Sequence, residues 1–224
     1  MTPPRRLDVA PDRLGRWVES FGERHGGVVS VEAGPHAVVM RAADGAEAAL
    51  EIPFPPLAPT AAGAAAGPAD VAARLAAHAT ADRTVGVLLV RLGGYAAGVF
   101  TGVAPVLAAS KVGSRLVHGR SAAGGTSQQR FARRRENQAH QALAAAADTA
   151  AAVFGPFTLD ALVLGGDRRA FHTIRNDVRL APYFTCAVEA FLTVPDPRLA
   201  VLRDTPRLFR AIRITLTEPE PAGT

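Results

Sequence analysis

Apolar positions recur along this chain with two different periods, and each change of period marks an element. Leu14, Trp17, Val18 and Phe21 fall at helical spacing and predict a first helix over residues 12–25. Residues 28–32 and 37–41 are short apolar runs separated by Gly34-Pro35, and residues 48–52 follow the Asp44-Gly45 turn. Together they predict two or three strands packed with the helix, a small α+β unit over residues 1–60. Pro53, Pro55, Pro56 and Pro59, then an Ala/Gly run ending near Pro68, have the composition of a linker. A short helix over about 69–80 is expected to lead into a main domain covering residues 69–217.

That domain opens with an apolar strand over residues 84–91. Gly93-Gly94 turns it into a second strand at 95–100, and a third runs from about Val106 to Val117, which makes an antiparallel meander. After the segment 118–127 the period returns to 3.6 for a long helix over about 128–153. Ala132, Ala139, Leu143, Ala146, Ala150 and Val153 form one apolar stripe, with Arg130, Arg134, Asn137, Gln141 and Asp148 on the opposite face. Gly155-Pro156 stops it. Residues 161–164 read as a buried strand ending in Gly165-Gly166-Asp167. A short helix is expected at 168–177, a β or mixed segment at 183–193, another helix at 197–210 and an edge strand at 211–216. Strand–helix–strand alternation after a meander predicts an α/β (α+β) class with a mixed sheet and flanking helices. Residues 218–224, with two prolines and little apolar content, are expected to be a disordered tail.

Composition narrows the classes. A chain of 224 residues holds one sizeable core, or a main domain and a small appendage. With 48% hydrophobic and 20% charged residues and no uninterrupted apolar run of about 18 or more, no membrane span and no membrane partner is expected. No apolar signal core follows the first residues, which points to the cytoplasm. One cysteine, Cys186, excludes an internal disulfide and a cysteine-based zinc cluster; in the apolar run 183–188 it reads as a buried structural thiol.

Charge is unevenly placed. Lys111 is the only lysine, and arginine identity in so alanine-rich a chain carries little information. Position carries more. Of 25 basic and 20 acidic residues, seven basic (Lys111, Arg115, Arg120, Arg130, Arg133, Arg134, Arg135) and one acidic (Glu136) fall between Lys111 and Gln141. That stretch carries +6 against +5 for the whole chain, so all the excess lies there. Positive charge concentrated on one element suits a polyanion, most often nucleic acid; a merely solvated basic face is the plain alternative.

Within that stretch, residues 121–130 (Ser-Ala-Ala-Gly-Gly-Thr-Ser-Gln-Gln-Arg) contain no large apolar side chain and cannot bury themselves, so a projecting loop is expected. Gly124 and Gly125 permit close backbone approach to another surface. Thr126, Ser127, Gln128 and Gln129 add hydrogen-bonding groups without charge, and arginines flank both sides.

A strand, a glycine-rich loop ending in glutamine and a long basic helix resemble the middle domain of eukaryotic and archaeal class-one peptide release factors. The tip Gly125-Thr126-Ser127-Gln128 is closer to the Vms-like release-factor family of ribosome quality control, where a Gly-Ser/Thr-x-Gln element replaces Gly-Gly-Gln. The arginine cluster one turn later and the strand end Leu164-Gly165-Gly166-Asp167 agree with it, and the resemblance covers about residues 80–217. It implies a ribonuclease H-like topology and a peptidyl-tRNA hydrolase of the release-factor type. Its partners would be the large ribosomal subunit, ribosomal RNA and peptidyl-tRNA, and it needs no cofactor or metal. Gln128 would be the catalytic tip with Gly125, Thr126 and Ser127. Lys111, Arg115, Arg120, Gly124, Gln129, Arg130, Arg133, Arg134 and Arg135 would meet RNA. Thr126-Ser127 departs from the termination factors, and about 80 residues before the main domain leave no room for a codon reader. Rescue of stalled chains fits better than stop-codon termination.

Other chemistries fit less well. Gly124-Gly125-Thr126-Ser127 lacks the Gly-Lys-Ser/Thr ending of a phosphate loop. Glu136, Asp148, Asp160 and Asp167 are too dispersed for a metal nuclease of ribonuclease H type. His118 and His140 read as phosphate contacts or helix-surface groups and His172 as structural, and Ser127 lacks a nucleophile elbow and a base. Cleavage near the tRNA 3′ end and a non-catalytic RNA-binding module stay open as alternatives. Trp17, Arg24 and His25 suit a packing surface and a ribosome contact equally.

Overall fold

The structure, a computed structural model, describes residues 3–59, 67–91, 94–114 and 127–219, with residues 127–137 described as backbone alone. The linker 60–66, the segment 115–126 and the tail from residue 220 lie outside the described residues. In chain order the elements are β1 (Arg5–Val9), a single 3-10 turn at Pro11–Arg13, α1 (Leu14–Arg24), β2 (Val28–Ala33), β3 (Ala37–Ala42), β4 (Glu47–Glu51), α2 (Pro68–Thr80), β5 (Val85–Arg91), β6 (Gly94–Thr101) and β7 (Val106–Ser114). Then come α3 (Ser127–Phe154), β8 (Ala161–Gly166), α4 (Arg168–Ile174), α5 (Ala181–Phe184), β9 (Ala187–Leu192), α6 (Leu199–Arg203), α7 (Thr205–Phe209) and β10 (Ile212–Thr217). Among the described residues no helix is long and apolar enough to cross a membrane.

The chain divides into two units, Met1–Ala81 with Phe209–Thr224, and Asp82–Leu208. The first is built on an antiparallel sheet in the order β1-β10-β4-β3-β2. Ile212, Ile214 and Leu216 of β10 are buried and alternate with half-buried polar residues, the period-2 pattern of a strand with one core face. Against that core α1 sets Leu14, Val18 and Phe21, and α2 sets Val71, Ala72, Leu75 and Ala79. Each large apolar side chain so removed from water contributes about 1.5–3 kcal/mol.

This unit differs from the expected one at both ends. The helix expected to lead into the main domain packs in the first unit's core, and the strand expected to edge the main sheet lies inside the first unit's sheet. Alternation in a strand specifies which face is buried and says nothing about which strands flank it. Here β10 registers Ile214 opposite Leu7 on one side and Leu50 on the other. β1 itself has only Leu7 and Val9 as apolar positions, too short an alternation to announce a strand.

The second unit has a five-stranded mixed sheet in the order β7-β6-β5-β8-β9. β5, β6 and β7 form the antiparallel meander, β8 runs parallel to β5, and β9 parallel to β8. This agrees with the expected mixed sheet flanked by helices. Val85–Val90 is buried at every position because both faces of β5 are covered, which explains its unbroken apolar run. On one face Leu88, Val90, Ala97, Val99, Leu162 and Leu164 pack with Ala146, Ala150, Val153 and Phe154 of α3 and with Phe171 and Ile174 of α4. On the other, Leu202 of α6 reaches Gly98 so closely that a Cβ there would stand 2.9 Å from it.

The expected helix over 197–210 is two short ones. Pro206 has no N–H for the Leu202 carbonyl, which accepts a hydrogen bond from Thr205 Oγ1 at 2.7 Å instead. The segment 183–193 is mixed, as expected, its strand being β9.

Candidate functional site

In the second unit the parallel strands β5 and β8 end at the same edge of the sheet, and the antiparallel β7 ends there too, since Ser114 pairs with Gly94 at the start of β6. The chain leaves this edge at Ser114 and is described again at Ser127, where α3 begins. One glycine shapes the edge. Gly166 closes β8 at φ +101°, and a Cβ there would sit 2.1 Å from the Val90 carbonyl oxygen. That approach lets the Asp167 amide donate to the same oxygen at 2.7 Å. The Asp167 carboxylate then turns back to accept from the Arg169 amide at 2.9 Å and starts α4. The strand end Leu164-Gly165-Gly166-Asp167 is thus a device for bringing two parallel strand ends together.

α3 spans 28 residues, about 42 Å at the usual rise. Its described side chains follow the expected division. Ala146, Ala150 and Val153 are buried and Leu143 partly so, while His140, Gln141 and Asp148 are exposed. Asp148 is engaged by Arg179 at 2.8 Å, and Arg179 also holds Asp177 at 2.6 Å. That guanidinium keeps the Asp177 carboxyl below the usual carboxylate range, and its own acidity is weakened by Asp177 first and Asp148 second. The one carboxylate on the exposed face of the described half of α3 is therefore spent within the unit, on an arginine outside the basic stretch.

Of the residues expected to act, Lys111 is exposed on β7, the edge strand, opposite Ala97. Ala109, Lys111 and Gly113 alternate onto the face that carries Ala97 and Val99, so Lys111 stands on the face α3 covers. Ser127 and Gln128 are the first two residues of α3, one residue earlier than the expected helix start. Gln129, Arg130, Arg133, Arg134 and Arg135 follow within its first three turns. Arg115, Arg120, Gly124, Gly125 and Thr126 lie outside the described residues, as does His118.

The remaining candidates take plain roles. Cys186 is half-buried in place of the expected full burial. Its thiol donates to the Tyr183 carbonyl at 3.2 Å, and burial pushes its pKa up, the reverse of an activated nucleophile. His172 is exposed on α4. In the first unit Trp17 stacks on Phe21 at 5.5 Å, and His25 is buried beside Phe21, with Nδ1 2.8 Å from Asp44 Oδ2. Arg24 donates to the Ser20 carbonyl of its own helix. Trp17 and His25 are packing residues.

A cavity of about 190 Å³ at this edge of the sheet was not foreseen. Its wall is mostly small or apolar, with Arg91, Asp167 and Arg169 among it, and its residues are far apart in sequence, so no local pattern announces it. Compared with known protein families, residues 83–215 match the model described as Actinobacteria/chloroflexi VLRF1 release factor. No curated protein matches the chain.

Proposed function

Because the chain belongs to the Actinobacteria/chloroflexi VLRF1 release-factor family, whose model spans the whole of β5 through β9 and most of β10, we propose that it frees nascent chains from peptidyl-tRNA on the large ribosomal subunit. The observation that carries this is the family match over a stretch in which Gly124-Gly125-Thr126-Ser127-Gln128 joins an edge strand to a long basic helix.

The chemistry asked of the site is ester hydrolysis. A water oxygen attacks the peptidyl carbonyl, the bond to the tRNA 3′ oxygen breaks, and that oxygen takes up a proton originating from the water. Glutamine has no useful pKa, so Gln128 is not a general base. Its contribution is positional: the side-chain amide orients water, and the backbone N–H meets the developing charge. As the second residue of α3, Gln128 has one of the four amides that find no acceptor inside the helix, at the end where the helix dipole favours negative charge. Gly124 and Gly125 allow the approach. Lys111, Arg115, Arg120, Arg130, Arg133, Arg134 and Arg135, with Gln129, hold the surrounding phosphates without reading sequence.

The test uses purified protein and large subunits carrying peptidyl-tRNA. Wild type releases peptide and leaves an intact tRNA 3′ end. Gln128→Ala binds subunits as before and loses release. Retention of wild-type rates by Gln128→Ala overturns the assignment. A shortened tRNA end makes the reaction a nuclease cut, and absence of release by wild type makes the protein a binder.

A further inference from the structure

The cavity at the sheet edge lies between α3 and α4. Val90 and Tyr95 form its floor, and Ala139 and Ala142 on one helix face Ala170 on the other. Alanines at all three positions leave the space that larger side chains would fill. The Tyr95 ring is laid across Gly113 on β7, where a Cβ would stand 2.3–2.6 Å from the ring, so that wall is fixed. Two charged groups line the cavity with unused capacity. Asp167 Oδ1 accepts from the Arg169 amide, while Oδ2 has no partner among the described residues. The exposed Arg169 guanidinium makes no hydrogen bond or ion pair among the described residues. Its neighbours are occupied: Arg91 donates to the Val194 carbonyl at 2.8 Å, and Arg168 lies 4.3 Å over the Phe191 ring.

The geometry points to a binding site for one unstacked nucleobase that bears an exocyclic amino group, with its phosphate on Arg169. The faces of a base suit the tyrosine and alanine walls, its amino N–H donates to Asp167 Oδ2, and the phosphate takes the Arg169 guanidinium. A purely aliphatic occupant would pair with neither charge, and a carboxylate would meet Asp167 with like charge. The volume is below the roughly 300 Å³ at which small-molecule pockets usually begin, so it suits a single ring system. This site rests on the release reading, which also names the source of the base. Ala139 lies roughly 16 Å along α3 from Gln128, so with Gln128 at the peptidyl ester the base in the cavity is not that of the terminal tRNA nucleotide, and the source tested is ribosomal RNA on subunits that hold no tRNA.

Binding of the intact protein to empty large subunits and to short RNA oligomers of A, C or U tests it. Wild type is expected to bind C and A oligomers about tenfold more tightly than U, because uracil turns acceptors toward Asp167. Asp167→Asn, which keeps a good helix cap, should bring the ratio of C to U close to one. Ala142→Leu, filling the cavity, should weaken binding to empty subunits and to C oligomers by about tenfold with unchanged thermal unfolding. Equal affinity for U and C, or an Ala142→Leu variant that folds and binds as wild type, overturns the site. So does weakened subunit binding by Ala142→Leu without any oligomer binding, which would put a protein side chain in the cavity. Because oligomer binding needs no peptide release, a base preference with Gln128-independent release would sink the release chemistry and leave the site standing.

Discussion

Replacing Gly166 with alanine tests the construction of the sheet edge. The residue sits at φ +101°, a conformation that costs an L side chain about 1–2 kcal/mol. The new Cβ would also lie 2.1 Å from the Val90 carbonyl oxygen and 2.9 Å from its carbonyl carbon, both backbone atoms of the central strand. Relief requires β8 to retreat from β5. That adds an overpacking cost of about 1–3 kcal/mol and weakens the 2.7 Å bond from the Asp167 amide, worth about 1 kcal/mol. The total is about 3–6 kcal/mol, a large share of ordinary domain stability. Gly27 supplies the control. Its φ is +102°, but nothing lies within 4 Å of its added Cβ, so Gly27→Ala should carry the conformational cost alone. Urea unfolding followed by circular dichroism reads both variants, and Trp17 fluorescence reads the first unit, where Gly27 lies. At a slope near 2 kcal/mol per molar, Gly166→Ala should lower the second unit's midpoint by about 1.5–3 M. Hydrogen exchange should speed up in β5 and β8. A Gly166→Ala variant no less stable than Gly27→Ala would refute the close-approach argument.

Replacing Arg130, Arg133 and Arg134 together with alanine should reduce the slope of log affinity for large subunits against log salt by about 2–3, and an unchanged slope would remove these arginines from the phosphate contacts. Asp44 is held below the usual carboxylate range by the Ala46 amide first and His25 second. Its ionised form therefore stabilises the fold above roughly pH 4, and that contribution disappears as pH falls through the lower folded value. Acid unfolding seen by Trp17 should be flatter in this range for Asp44→Asn; identical curves would exclude the group. Cys186, its thiol pushed up by burial, should be alkylated about tenfold more slowly than free cysteine at neutral pH and at the free rate in urea. Rapid labelling of folded protein would contradict its packing.

The chain's periodicities were sufficient for most elements, because burial of one face leaves a local trace. The stripe from Ala139 to Val153 located α3 and its packed side, and the unbroken run Val85–Val90 marked a strand covered on both faces. Charge clustering from Lys111 to Arg135 and the Gly-Gly-Thr-Ser-Gln segment were likewise local, and they carried the family resemblance that the match over 83–215 bears out. What required the tertiary structure was pairing between distant segments. β10 alternates as cleanly as any edge strand, yet it closes the first unit's sheet between β1 and β4, about 160 residues and more from its partners. The contact of Gly166 with Val90, the placement of the Asp167 carboxylate beside the cavity and the gap among Ala139, Ala142 and Ala170 likewise exist only once strand ends and helices remote in sequence are assembled. A side chain's periodicity records that it is buried; which residues bury it is decided by the whole chain.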